Sequence, residues 1–160
     1  MPRIYTRVGD IFEAEYSDEE VKYLQYIAND MSQLNSDVIR VFSRRYKKGK
    51  TPGLDEIVEG EVEFYAHCVV KWGIELGFWE KIGNHPEVGD LDILFRTTKG
   101  DRRAKISRNW KVWRINRKPW SEEILSEESR IADEGSVNPP KSILHKIQTG
   151  EYDFVYPGFE

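Results

Sequence analysis

Short stretches of alternating apolar and polar side chains constrain the fold of this chain most, because such alternation is typical of a β-strand with one solvent-exposed face. In residues 11–16, Phe12 and Ala14 share one side and glutamates occupy the other. A polar turn follows at 17–20, and residues 21–28 are rich in aromatic and β-branched side chains. The two stretches together predict a β-hairpin.

The same reasoning predicts further strands at 38–42, 63–72, 76–79, 91–95 and 110–115. Residues 63–72 carry apolar side chains on both sides, which indicates a central strand covered on two faces. Helical signals are fewer: a turn or two at 54–58, a capped turn at 121–125, and a helix near 142–147 that stops at Gly150. The aromatic tail after Gly150 is expected to dock on the rest of the chain.

The predicted fold is therefore mainly β, with α+β as the alternative. We expect a single domain over residues 1–160, because 160 residues is a usual domain size. Six or seven short strands with one or two peripheral helices favour a small barrel or a strongly curled antiparallel sheet.

Cysteine content and charge exclude several classes. Cys68 has no partner for an internal disulfide, and no Cys/His cluster predicts a zinc site. No stretch resembles a signal peptide or a membrane span, so the predicted location is the cytoplasm and no membrane partner is expected. A formal net charge of −4 argues against a general nucleic-acid binder.

No motif predicts catalysis, a cofactor or a metal. His67 and Cys68 are adjacent and could suggest a nucleophile pair, but neighbours on a strand point to opposite faces. We expect a buried thiol and a separate histidine. His85 and His145 have no carboxylate or second histidine at ligand spacing, and nothing selects two of the many carboxylates. The chain is predicted not to be an enzyme, and a hydrolase with an unrecognised carboxylate pair is the least supported alternative.

The strongest local feature is a basic and aromatic segment at residues 99–120. It holds nine cations against one carboxylate, with tryptophans interleaved: Lys99, Arg102, Arg103, Lys105, Arg108, Lys111, Arg114, Arg117 and Lys118, with Trp110, Trp113 and Trp120. Arg and Trp dominate protein-binding hot spots, and they also stack on bases and neutralise phosphates. A solvated hairpin, with Trp110 and Val112 facing the core and Lys111 and Trp113 facing away, is the third interpretation.

Two function hypotheses follow. The leading one is a non-catalytic protein-binding domain, whose predicted contact residues are exposed aromatics near the basic segment and two of its arginines: Trp79, Trp113, Arg114, Arg117 and Trp120. The alternative is a single-stranded nucleic-acid-binding module that uses the hairpin 99–120, through Arg102, Arg103, Trp113, Arg114 and Arg117.

A family resemblance supports the first hypothesis. The opening Val8-Gly9-Asp10-Ile11-Phe12, the short aromatic strands and the late Pro139-to-Gly150 segment resemble the immunity protein 26 family of bacterial polymorphic toxin systems. The resemblance implies a β-rich, non-enzymatic, cytoplasmic protein that neutralises a toxin by binding it. It assigns no contact residues.

Overall fold

The strands of the computed structural model, which describes residues 3–159, form two sheets. In chain order the elements are β1 (Asp10–Glu15), β2 (Glu20–Asp30), β3 (Ser36–Phe42), β4 (Tyr46–Lys47), α1 (Leu54–Val58), β5 (Val62–Cys68), α2 (Val70–Glu75), β6 (Trp79–Asn84), β7 (Leu94–Thr98), β8 (Trp110–Arg114), β9 (Trp120–Glu122), α3 (Glu127–Arg130), β10 (Asp133–Glu134), β11 (Val137–Asn138) and α4 (Pro140–Thr149). The mainly-β prediction is confirmed.

The main sheet has the strand order β11-β5-β3-β2-β1-β6, with β4 pairing on β2. The predicted N-terminal hairpin is confirmed, since β1 and β2 pair antiparallel with Ile11 opposite Gln25 and Glu15 opposite Val21. Pairing is antiparallel from β6 through β5, and β11 joins β5 in parallel.

The second sheet has the order β10-β7-β8-β9, with β10 parallel to β7 and the other pairs antiparallel. The main sheet ends in β11 and β6, which do not pair with each other, and neither sheet is closed or strongly curled. The barrel part of the prediction is not confirmed. Helices and the second sheet cover the faces of the main sheet, and a sheet covered in this way can remain open.

The two faces of the main sheet bury different residues. On one face, Leu24, Val41 and Phe64 pack against Ile143 and Ile147 of α4. On the other face, α1 covers one end of the sheet and the second sheet covers the other. The prediction that the segment beginning at 63 is covered on two faces is confirmed for β5: Phe64 packs against α4 on one face, and Tyr65 and His67 contact the second sheet on the other.

Strand β8 is also covered on both faces. Trp113 packs towards the main sheet with Ile27 and Val38. Trp110 and Val112 point the other way, into a cluster that includes Leu125 and the tail residues Tyr156 and Phe159. The expectation that the aromatic tail docks is therefore confirmed.

Several predicted elements are wrong in part: the strand predicted at 76–79 begins only at Trp79, and the strand predicted at 91–95 begins only at Leu94. The predicted strand 63–72 ends at Cys68, and helix α2 begins at Val70, whose backbone N–H donates to the Asp37 carboxylate at 3.0 Å. The predicted helical turn at 121–125 is replaced by strand β9, whose Trp120 lies opposite Val112. The helix follows at Glu127–Arg130, capped by the side chain of Ser126, which accepts from the Ser129 N–H.

Within residues 3–159, no helix is both long and apolar enough to cross a bilayer.

Candidate partner-binding site

Two of the five predicted contact residues are buried. Trp79 retains 3% of its exposure, packs against Gly73 of α2, and donates from Nε1 to the Val70 carbonyl at 3.1 Å. Trp113 is fully buried between the sheets, against Gly135, with its Nε1 donating to Asp30 at 2.8 Å. The expectation that both are exposed contact residues is wrong, because α2 covers Trp79 on β6 and the main sheet covers Trp113 on β8.

Arg114 and Trp120 do come together at the surface. Val112 lies opposite Trp120 in the β8–β9 pair, so Trp120 shares a face of the sheet with Arg114, two residues along β8. The guanidinium carbon of Arg114 lies 5.7 Å from the centre of the Trp120 ring. The Trp120 side chain is 37% exposed, and its Nε1 donates to Glu122 at 2.7 Å. Trp120 is therefore held in place while part of its ring faces solvent.

Arg114 also bridges two carboxylates that sequence reasoning missed. Its Nε lies 3.1 Å from Oδ1 of Asp92, and its Nη2 pairs with Glu128 of α3. Asp92 and Glu128 line a cleft of about 280 Å³. The other lining residues are two further carboxylates and a set of apolar and aromatic side chains: Tyr65, Asp90, Ile93, Leu94, Ile131, Ala132 and Asp133. These residues come from segments far apart in the chain, so no motif with a fixed sequence spacing could have predicted the cleft.

Arg117, the fifth predicted residue, is exposed in the turn after β8. It lines a neighbouring depression that shares Asp90 and Asp92 with the cleft. Asn116 fixes this turn with a left-handed φ of 58°, its N–H donating to Asp30 and its side chain donating to the Asn29 carbonyl. We call this surface the Trp120 face: Asp90, Leu91, Asp92, Arg114, Arg117, Trp120, Glu128, Ile131 and Asp133.

The loop that carries Asp90 and Asp92 is anchored from the main sheet. Gln25 and Arg40, both buried, donate to the carbonyl of Glu87 at 3.1 and 3.0 Å. Arg40 also donates to Gln25 at 2.9 Å, so these two buried side chains hydrogen-bond to each other as well as to the loop. The anchor holds the two carboxylates at a fixed place on the Trp120 face.

Asp133 has unusual electrostatics. Burial raises the pKa of its carboxyl to about 6, although the Tyr65 N–H donates to it at 3.0 Å and Lys146 and Arg96 lower it. The negative charge of the cleft therefore grows as the pH rises through about 6.

The histidine and cysteine side chains are arranged as expected. His67 and Cys68 are both fully buried on opposite faces of β5: His67 contacts Asp30 and Phe95 between the sheets, whereas Cys68 lies in the core beneath α2 and α4. Burial raises the pKa of the Cys68 thiol. A buried thiol with a raised pKa is a poor nucleophile, so the two do not form a reactive pair.

His85 has a partner that its sequence neighbours do not reveal. Its Nε2 lies 2.6 Å from Oδ1 of Asp55 in α1. Within residues 3–159 there is no group of three or more His, Cys, Asp or Glu side chains that could hold a metal ion.

No protein-family model, curated protein or solved structure matches the chain. The resemblance to immunity protein 26 therefore stays a prediction, and functional inference depends on the residues and their geometry.

Proposed function

We propose that this chain is a non-catalytic domain that binds another protein through the Trp120 face. The observation that carries the proposal is the position of Arg114, which lies over Trp120 and holds Asp92 and Glu128 at once. Trp and Arg are the residues most enriched at binding hot spots. A side chain fixed before binding loses less entropy when the partner arrives.

The charge of the face indicates the chemistry of the partner. Four carboxylates (Asp90, Asp92, Glu128 and Asp133) face two arginines, and exposed Ile131 and Leu91 add apolar area. Ile131 is 85% exposed and Leu91 41%. An acidic surface with apolar residues attracts a partner whose surface carries Lys and Arg beside apolar side chains.

The biological role in this proposal is that of an immunity protein, which neutralises a bacterial toxin by covering a basic working surface. The same charge disfavours single-stranded nucleic acid at this face, since carboxylates repel phosphates. The buried Trp113 is also unable to stack on a base.

The test is affinity purification of the tagged protein from its native host, at moderate salt and after nuclease treatment. Three proteins are compared: wild type, Trp120→Ala, and Trp72→Ala as the matched control. Trp72 is 54% exposed on α2, outside the Trp120 face. Circular dichroism establishes that all three fold.

We expect wild type and Trp72→Ala to retain the same stoichiometric protein. The identified partner, purified and titrated by calorimetry, should bind Trp120→Ala about 30-fold more weakly. The wild-type protein should inhibit the activity of this partner. Equal binding of the partner by Trp120→Ala and Trp72→Ala, or recovery of nucleic acid without any protein, would contradict the proposal.

A further inference from the structure

A second cleft shares no lining residue with the Trp120 face. We call it the Arg102 cleft. Its volume is about 670 Å³, within the range of roughly 300–1,000 Å³ that small-molecule sites occupy. The lining comes from the loop after β7, from the segment around β11 and from the tail: Arg102, Arg103, Ser136, Val137, Asn138, Pro139, Phe154 and Val155.

Two guanidinium groups give the cleft its positive charge. Arg103 is exposed, and its side chain has no hydrogen bond or ion pair with any residue between 3 and 159. Arg102 is held loosely, because its Nη2 is 3.4 Å from both Glu134 Oε1 and Ser136 Oγ, longer than a strong charge-assisted bond. Arg103 can turn towards an anion, Arg102 can do so by giving up two long contacts, and paired arginines match the oxygens of a phosphate.

A flat apolar surface lies beside these cations. The rings of Tyr152 and Phe154 stack with centroids 4.7 Å apart and an interplanar angle of 21°. The guanidinium carbon of Arg102 is 5.9 Å from the centre of the Phe154 ring. Val155 is 72% exposed next to this stack. The cleft therefore offers cations for an anionic group and a flat apolar wall for a planar one.

We propose that the Arg102 cleft binds a nucleoside phosphate, with the phosphate on Arg103 and Arg102 and the base against the Phe154–Val155 wall. A free nucleotide and a nucleotide of a single strand share this chemistry. The site is separate from the Trp120 face and does not depend on the function proposed for that face.

Protonation of Glu134 should be coupled to phosphate binding in the Arg102 cleft. Its carboxylate is buried, and burial raises its pKa, with Ser136 and Arg102 opposing the shift. A phosphate that draws Arg102 away removes a cation from Glu134, so binding should be accompanied by proton uptake. The other groups that face Glu134 are Arg96 of β7, Asp133 of β10, and Tyr152 and Tyr156 of the tail.

The experiment is calorimetric titration of the full chain with adenosine 5′-monophosphate at low salt. Arg103→Ala is compared with Arg108→Ala, which removes the same charge from the same exposed loop but lies outside the cleft lining. We expect Arg103→Ala to weaken binding at least tenfold and Arg108→Ala to change it less than twofold. A six-nucleotide single strand distinguishes the sources: binding at least tenfold tighter than the mononucleotide, with the same Arg103 dependence, assigns the site to strands, and equal binding assigns it to free nucleotides.

A second variant tests the coupling. Glu134→Gln should bind the mononucleotide more tightly than wild type at pH 8, and the two should converge as the pH falls. Trp120→Ala should leave this binding unchanged, which separates the result from the fate of the Trp120 face. Failure of both probes to bind saturably, or equal losses in Arg103→Ala and Arg108→Ala, overturns the proposal.

Discussion

Nε2 of His67 lies 2.8 Å from Oδ2 of Asp30, and both side chains are fully buried where the two sheets meet. Asp30 also accepts from Trp113 Nε1 at 2.8 Å and from the Asn116 N–H at 3.1 Å. Burial alone would raise the pKa of Asp30, but the hydrogen bonds from His67, Trp113 and Asn116 outweigh it and lower the pKa. One carboxylate therefore joins β2, β5, β8 and the turn after β8.

Replacing Asp30 with Asn should lower the free energy of unfolding at pH 7 by about 2–4 kcal/mol, because charged hydrogen bonds are lost in a buried site. The pKa of Asp30 is lowered on folding, so its stabilisation is present above about pH 4 and disappears as the pH falls through the folded-state pKa. Urea unfolding at pH 7 and pH 3 measures the difference, which should shrink at pH 3.

Asp18, exposed in the β1–β2 turn, provides the control for that change. Asp18→Asn should stay within about 0.5 kcal/mol of wild type. If Asp30→Asn is as stable as Asp18→Asn at pH 7, the carboxylate does not hold the sheets together.

Asp133→Asn should change stability in the opposite direction, by raising the free energy of unfolding. The pKa of Asp133 is raised on folding to about 6, so the folded state binds this proton more tightly and the group stabilises the fold more as the pH falls from about 6 to 4. Asn keeps an oxygen for the Tyr65 N–H and carries no charge. We expect the variant to be about 1–3 kcal/mol more stable than wild type at pH 8, with the gain gone near pH 4. Thermal unfolding across this range is the measurement, and Asp153→Asn, at an exposed position, is the control. A gain that does not vary with pH would argue against buried charge as its cause.

Gly73→Ala should destabilise the chain, although Ala is favoured over Gly within a helix by about 1 kcal/mol. A Cβ at position 73 would lie 1.9 Å from the Trp79 ring, which is buried and hydrogen-bonded to the Val70 carbonyl. Overpacking of this kind outweighs propensity, so a net loss of about 1–3 kcal/mol is expected in urea unfolding. Gly100→Ala, whose Cβ meets only Thr98 Oγ1 at 3.7 Å, should be close to neutral. A stabilised Gly73→Ala would show that Trp79 can move aside without loss.

Local patterns were sufficient to predict much of the main sheet. The alternation around Phe12, the β-branched run at 38–42 and the late helix ending at Gly150 correspond to β1, β3 and α4, with Gly150 at a left-handed φ of 86°. The start of α2 was not predictable, because the acceptor for the Val70 N–H is Asp37, on another strand. Apolar residues around Val70 fit a buried strand and a buried helix equally well.

The candidate site was predictable only where neighbours in sequence are also neighbours in space. Arg114 and Trp120 are joined by the β8–β9 pair, and both were predicted. The burial of Trp113 depends on the main sheet packing over the second face of β8, which alternation within one strand does not reveal. Glu128 reaches Arg114 only because α3 folds back onto the second sheet, against β7.

The parallel pairing of β11 with β5 places Val137 opposite His67, so every residue of the second sheet lies in the chain between these two partners. Closing so long a loop is entropically unfavourable, and contacts of this separation slow folding. The N-terminal hairpins, whose partners are close in sequence, should therefore form first. We expect pulse-labelled hydrogen exchange to protect the amide of Leu24 before that of Asn138, so that the pairing of β11 marks the last step of folding.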